Sequence, residues 1–134
     1  MSKVAIVFWS GTGNTEAMAN AVAEGAKNAG AEVEMIAAAD FNAGRAAEFD
    51  GIGFGCPAMG SEVLEEDEFQ PMWDDVKGSL AGKKVVLFGS YGWGDGEWMR
   101  NWAEEAAGAE SYICNEAPDD EAVAACQELG AKLA

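Results

Sequence analysis

The feature that most limits what this chain can fold into is a regular alternation of two apolar periods. Residues 4–9 form a continuous β-branched and aromatic run, as in a strand buried on both faces. Residues 16–28 then carry Met18, Ala19, Val22, Ala23 and Ala26 at helical spacing, with Gly30 as a stop. A strand follows over 32–36, a short helix over 45–48 and a glycine-rich strand over 51–55, whose small residues let helices approach the sheet. Residues 69–80 read as a helix with Phe69, Met72, Trp73, Val76 and Leu80 on one stripe. A strand over 84–89, a helix over 97–107, a short strand over 111–114 and a helix over 120–133 complete the chain. Five β-α units with no linker and no repeat predict a single α/β domain over 1–134, a parallel sheet with helices on both faces. Ligands of such sheets sit beyond the carboxyl ends of strands, where strand order reverses. The segments after strands one, three and four are therefore the ones to inspect.

Composition narrows the chemistry. Eight basic against 24 acidic residues leave a net charge of −16 over 134 residues. That balance speaks against nucleic acid and anionic membranes as partners and favours a basic one. The chain has no histidine, which excludes Ser-His and Cys-His catalysis, histidine-ligated metals and histidine-ligated haem. An apolar fraction of 49% argues against disorder, and no apolar run approaches the length of a membrane span. The first residues lack a signal pattern, so a cytoplasmic location is expected. Cys56, Cys114 and Cys126 are odd in number and contain no Cys-x-x-Cys pair, so thiols are expected rather than a metal or iron–sulfur site.

After strand one comes Ser10-Gly11-Thr12-Gly13-Asn14-Thr15, leading into a helix. Glycine allows a tight concave backbone whose N–H groups converge on one anion. Ser10, Thr12, Asn14 and Thr15 add side-chain donors, and the helix start adds partial positive charge. A phosphate site is the favoured reading, and an ordinary turn with Thr15 as N-cap is the alternative. The nucleoside-triphosphate loop is excluded, because Thr15 is followed by Glu16 rather than preceded by Gly-Lys. The loop contains no Lys or Arg, so a phosphate held there keeps its charge. The other two loops, 56–62 and 90–96, each set a large side chain beside glycine. Met59 and Trp93 could bracket a flat ring, or be a core filler and a loop aromatic. Together, opposite a phosphate-type loop, they suggest a planar ligand carrying a phosphate.

The three loops in order, Ser10-Gly11-Thr12-Gly13-Asn14-Thr15, Ala58-Met59-Gly60-Ser61-Glu62 and Ser90-Tyr91-Gly92-Trp93-Gly94, resemble those of the flavodoxins, specifically the short-chain type of anaerobic bacteria. The likeness runs from Lys3 to about Trp102 and returns at Asn115-Glu116-Ala117-Pro118-Asp119. It implies strand order 2-1-3-4-5, non-covalently bound FMN, and low-potential single-electron transfer between semiquinone and hydroquinone. It further implies that the first loop holds the FMN phosphate, that Met59 covers one face of the isoalloxazine and that Trp93 stacks on the other. Glu62 then accepts from flavin N3–H, and the Gly60-Ser61 peptide turns over on reduction so that the Gly60 carbonyl accepts from N5–H. The amides around Gly92 and Trp93 would reach the flavin carbonyls, with Ser90 and Tyr91 as weaker candidates. Related chains carry several more residues before Asn115, so the fourth helix or fifth strand is expected to be short.

Such a chain is expected to be an electron-transfer protein, not an enzyme, and a monomer that meets basic redox partners such as reductases and oxidoreductases. Residues 62–75 hold Glu62, Glu65, Glu66, Asp67, Glu68, Asp74 and Asp75 with no basic residue, either a solvated helix face or a negative rim that steers those partners. An FMN-dependent reductase of a small acceptor such as a quinone is the alternative, but so short a chain offers little material for a substrate pocket. A phosphorylated receiver needs acidic residues where Ser10 stands and a reactive Asp where Cys56 stands. A cysteine phosphatase needs an Arg where Glu62 stands.

Overall fold

The apolar run after Ser2 forms β1 (Lys3–Phe8), an inner strand of a five-stranded parallel sheet in a computed structural model of the chain. The structure describes residues 2–9, 11, 13–59, 64–92, 94, 96–106 and 109–134. The other strands are β2 (Glu32–Ala37), β3 (Gly51–Gly55), β4 (Lys84–Tyr91) and β5 (Glu110–Asn115), in the spatial order β2-β1-β3-β4-β5. Helices α1 (Asn14–Asn28), α2 (Ala43–Ala46), α3 (Phe69–Val76), α4 (Glu97–Glu105) and α5 (Asp120–Ala131) lie between and after them. This is the expected α/β architecture with order 2-1-3-4-5. The chain leaves β1 for β2 on one side and returns to β3 on the other, so strand order reverses between β1 and β3.

Alternation along the strands divides the core in two. Ala5, Val7, Ile52, Phe54 and Leu87 face one way, toward α2, α3 and α4. There Trp73 stands edge-on to Phe54 at 5.2 Å and to Trp102 at 5.8 Å, and Trp102 edge-on to Phe69 at 5.3 Å. These perpendicular contacts lock α3 against α4. Val4, Ile6, Val86 and Phe88 face the other way, against α1 and α5. On that face β3 presents only glycine. A Cβ on Gly55 would stand 2.1 Å from the Phe88 ring, and one on Gly53 would stand 3.3 Å from Leu133 Cδ1. The missing side chains are the space these larger ones fill.

Several boundaries differ from the sequence expectation for local reasons. α2 begins two residues early because the Asn42 side chain accepts the Arg45 N–H at 2.9 Å, a standard N-cap. α3 ends at Val76 and tightens into a 3₁₀ turn over Lys77–Ser79, although Leu80 still packs on the core. α4 ends at Glu105, and Ala107 lies outside the described residues. β4 runs on through Ser90 and Tyr91, which are paired with β5 at Cys114 and Asn115. β5 has six residues, so the short segment before Asn115 leaves the sheet its fifth strand.

The closest helix contact is between α1 and α5. A Cβ on Gly25 would lie 1.9 Å from the Gln127 carbonyl oxygen, and one on Gly130 would lie 1.9 Å from that of Val22. Backbone cannot yield as a side chain does, so G130A must push the helices apart. We predict that G130A lowers unfolding free energy by about 2 kcal/mol or more in urea titration. G78A, where the added carbon meets nothing within 4 Å, should stay within about 0.5 kcal/mol of the parent.

Candidate cofactor site

Strands β1, β3 and β4 end beneath one cleft of about 350 Å³. Trp9, Gly11 and Asn14 line it after β1, and Pro57, Ala58 and Met59 after β3. Ser90, Tyr91 and Gly92 line it at the end of β4, and Glu116 joins them from beyond β5. Pairing continues past the strands into these walls. The Trp9 N–H donates to the Gly55 carbonyl at 3.0 Å, Cys56 N–H to that of Phe88 at 3.1 Å, and Ala58 N–H to that of Ser90 at 3.1 Å. The cleft floor is therefore a continuation of the sheet.

One end of the cleft is the start of α1. Gly13 precedes the helix with φ 93°, a conformation glycine adopts without strain. The first helical bond runs from Ala17 N–H to the Gly13 carbonyl. The earlier N–H groups have no acceptor within the helix and, with the helix dipole, suit an anion. Thr15 is not the N-cap. It is buried inside the first turn, where its Oγ1 accepts the Ser90 N–H at 3.4 Å. That bond ties the first loop to the third.

Of the sequence-predicted residues, Gly11, Asn14, Ala58, Met59, Ser90, Tyr91 and Gly92 are brought together around the cleft. Exposed Gly13, buried Thr15 and exposed Gly94 do not line it. Ser10, Thr12, Gly60, Ser61, Glu62 and Trp93 lie outside the described residues. Three lining residues were not singled out as site residues from the sequence: Trp9, Pro57 and Glu116. Trp9 reads as the last residue of a strand, and its position next to the loop was the available signal. Glu116 has φ 60°, uncommon for a residue other than glycine. Its conformation is held by its N–H donating to the Tyr91 carbonyl at 2.8 Å and by Ser90 Oγ donating to its carbonyl at 2.6 Å. The neighbouring Asn115 donates its side-chain N–H to the same Tyr91 carbonyl at 3.2 Å and does not line the cleft. No Lys or Arg lines the cleft among the described residues.

Beneath the second wall lies a buried carboxylate. Glu65 is 6% exposed and accepts N–H bonds from Asp67 at 2.8 Å, Glu68 at 2.7 Å and Phe69 at 2.8 Å, ahead of α3. Burial alone would raise its pKa, but the three N–H groups outweigh burial and hold it below the usual glutamate value. Its own N–H donates to Cys56 Sγ at 3.4 Å. Burial pushes the Cys56 thiol up to about 12, with the Glu65 N–H acting against the rise. Burial does the same to Cys126, also to about 12. Cys114 is half-buried, and its pKa is raised by burial as well.

Two predictions follow from these groups. Native protein at about pH 8 should leave Cys56 and Cys126 unmodified by a disulfide reagent, while all three thiols react in denaturant, as counted by thiol titration. The stabilisation from Glu65 is complete above the ordinary glutamate pKa of about 4.3 and is lost as pH falls through its lower folded value. E65Q should therefore flatten that part of the acid limb of stability against pH, measured by urea midpoints.

Comparison with known proteins places this geometry. The flavodoxin family model matches residues 6–132. The flavodoxin of Megasphaera elsdenii is 52% identical over 132 residues, covering 95% of each chain. That of Clostridium beijerinckii is 46% identical over 134 residues, covering 96% of this chain and 97% of that one. The solution structure of two-electron reduced M. elsdenii flavodoxin matches with a TM-score of 0.88 at 50% identity, over 97% of both chains. Among the described residues no helix is long and apolar enough to cross a membrane, and no His/Cys/Asp/Glu group could hold a metal ion. The cleft lies at the β1/β3 reversal, where ligands sit in sheets of this order, flavodoxins among them. The chain belongs to the flavodoxin family, the FMN-binding electron-transfer proteins.

Proposed function

We propose that this chain is a low-potential single-electron carrier, one FMN-binding domain over 1–134, that shuttles between semiquinone and hydroquinone. The observation that carries this reading is the meeting, in one cleft, of a glycine-led helix start with a wall of apolar and aromatic side chains. FMN supplies one-electron chemistry when bound, and the protein supplies its surroundings. The start of α1, with Ser10, Gly11, Thr12, Gly13, Asn14 and Thr15, is the proposed phosphate holder. Ala58 and Met59 are proposed to cover one face of the ring and Trp93 the other. Gly60, Ser61 and Glu62 are proposed for the polar edge, with Ser90, Tyr91, Gly92 and Gly94 completing that side.

Two features of the described residues support a low potential. The cleft offers no cation to a bound phosphate, and Glu116 adds a carboxylate to its wall. Both oppose further negative charge on the bound group. Charge placement supports a docking role. Lys3, Lys83 and Lys84 lie at or just before strand starts, Lys27 and Lys77 at or just after helix ends, and Lys132 just after α5. These positions are at the end of the molecule opposite the cleft. Glu65, Glu66, Asp67 and Glu68 lie at the cleft end, before α3. With a net charge of −16, and with far-end lysines offsetting carboxylates there such as Glu105 and Glu110, the cofactor end carries the stronger negative charge toward a basic redox protein.

Apoprotein should take up one FMN per chain, and stepwise reduction should resolve two separate one-electron steps. A protein that takes up no FMN, or a single two-electron step, overturns the proposal. Electron transfer to a basic reductase should slow steeply between ~0.01 M and ~1 M salt, as the Debye length shrinks from about 30 to 3 Å. A rate unchanged over that range removes the steering role.

A further inference from the structure

We infer that Glu68 and Glu65 are positioning residues of the cofactor site, joining its first wall to its second so that the two behave as one body. Trp9 lines the cleft, and its indole Nε1–H donates to Glu68 Oε1 at 2.9 Å across a separation of 59 residues. The Glu68 N–H donates to Glu65 Oε1 at 2.7 Å, and the Glu65 N–H donates to Cys56 Sγ at 3.4 Å. Cys56 is the residue after β3, and its N–H donates to the Phe88 carbonyl of β4. A continuous path of donors and acceptors thus runs from the indole to the sheet.

The path holds two things at once. The Cys56–Glu65 contact holds the start of residues 57–59, which carry Ala58 and Met59 into the cleft. Trp9 in turn lies over Gly11, where an added Cβ would stand 3.1 Å from its Cη2. Displacing the indole therefore shifts the surroundings of Gly11, and displacing Glu68 frees the indole. Glu68 is exposed, so as a charge it is one of several acidic residues on that rim. As an acceptor it is specific to Trp9. Its role here is geometric, and glutamine can fill it.

This inference rests on the cleft being the FMN site, and the experiment separates the two. FMN dissociation constants and the gap between the two midpoint potentials are measured for wild type, E68Q, E68L, W9F and W9F/E68L. Indole N–H exchange with solvent is followed by NMR in wild type, E68Q, E68L and E65A. E68Q keeps the acceptor and removes the charge, so its dissociation constant stays within about twofold of wild type. E68L and W9F each weaken FMN about tenfold and shift the gap, and the double variant is no worse than either single one. The Trp9 indole exchanges slowly in wild type and E68Q and fast in E68L. It is also fast in E65A, although that change touches neither Trp9 nor the Glu68 carboxylate. If E65A does not fold, E68Q against E68L decides. Equal effects of E68Q and E68L would make Glu68 a charge only, and additive losses in the double variant would mean that the two walls are independent. Either result, or no change in any variant, overturns the inference. A wild type that binds no FMN overturns the reading of the cleft, and the indole exchange still reports the coupling.

Discussion

A parallel sheet covered on both faces can be reached only at its ends, and the rest of this molecule follows from that. α2, α3 and α4 cover one face, α1 and α5 the other, so the faces have no room for a ligand. At the carboxyl end, β1 and β3 are neighbours whose chains leave in different directions. The space between those departures is the cleft. Because pairing continues through Trp9, Cys56 and Ala58, the floor is held by the same hydrogen bonds as the sheet.

The placement of α1 is as tightly fixed as that floor. Glycine at 25 and 130 lets α1 and α5 approach until backbone meets side-chain-free backbone, and Leu133 then reaches the sheet over Gly51 and Gly53. The start of α1 is held at its other end by the Thr15–Ser90 bond. The phosphate-holding role proposed for this helix start needs such anchoring, because the attraction of its N–H groups falls off within the first turn.

The fold was largely legible in the sequence because its signals are local. The runs after Ser2 and Gly82, the stripe from Phe69 to Val76 and the glycines of β3 each state an element by themselves. The first two loops were legible for the same reason, since each follows its strand directly, whereas Ser90 and Tyr91 of the third are the end of β4 itself. What escaped depends on proximity that spacing does not encode. Thr15 could be taken for a cap until the strand carrying Ser90 is set beside it. Glu116 lies far along the chain from the other cleft residues, and only the β4–β5 ladder brings it there. The bond between Trp9 and Glu68 joins two residues that no periodicity relates. Glu65 looked like one acidic residue among several, and its burial distinguishes it.

The lysines far from the cleft have a consequence for motion through solution. A molecule with separated poles feels a torque in the field of another charged body as well as a pull. Rotational diffusion is then biased before contact, and the negative pole turns toward the source of positive potential. The search for a productive encounter shrinks from a whole sphere of orientations to a cap around the cleft. Net charge alone would give attraction without aim. In the docking role proposed above, the sorting of Lys3, Lys27, Lys83, Lys84 and Lys132 to one end of the sheet would supply the aim.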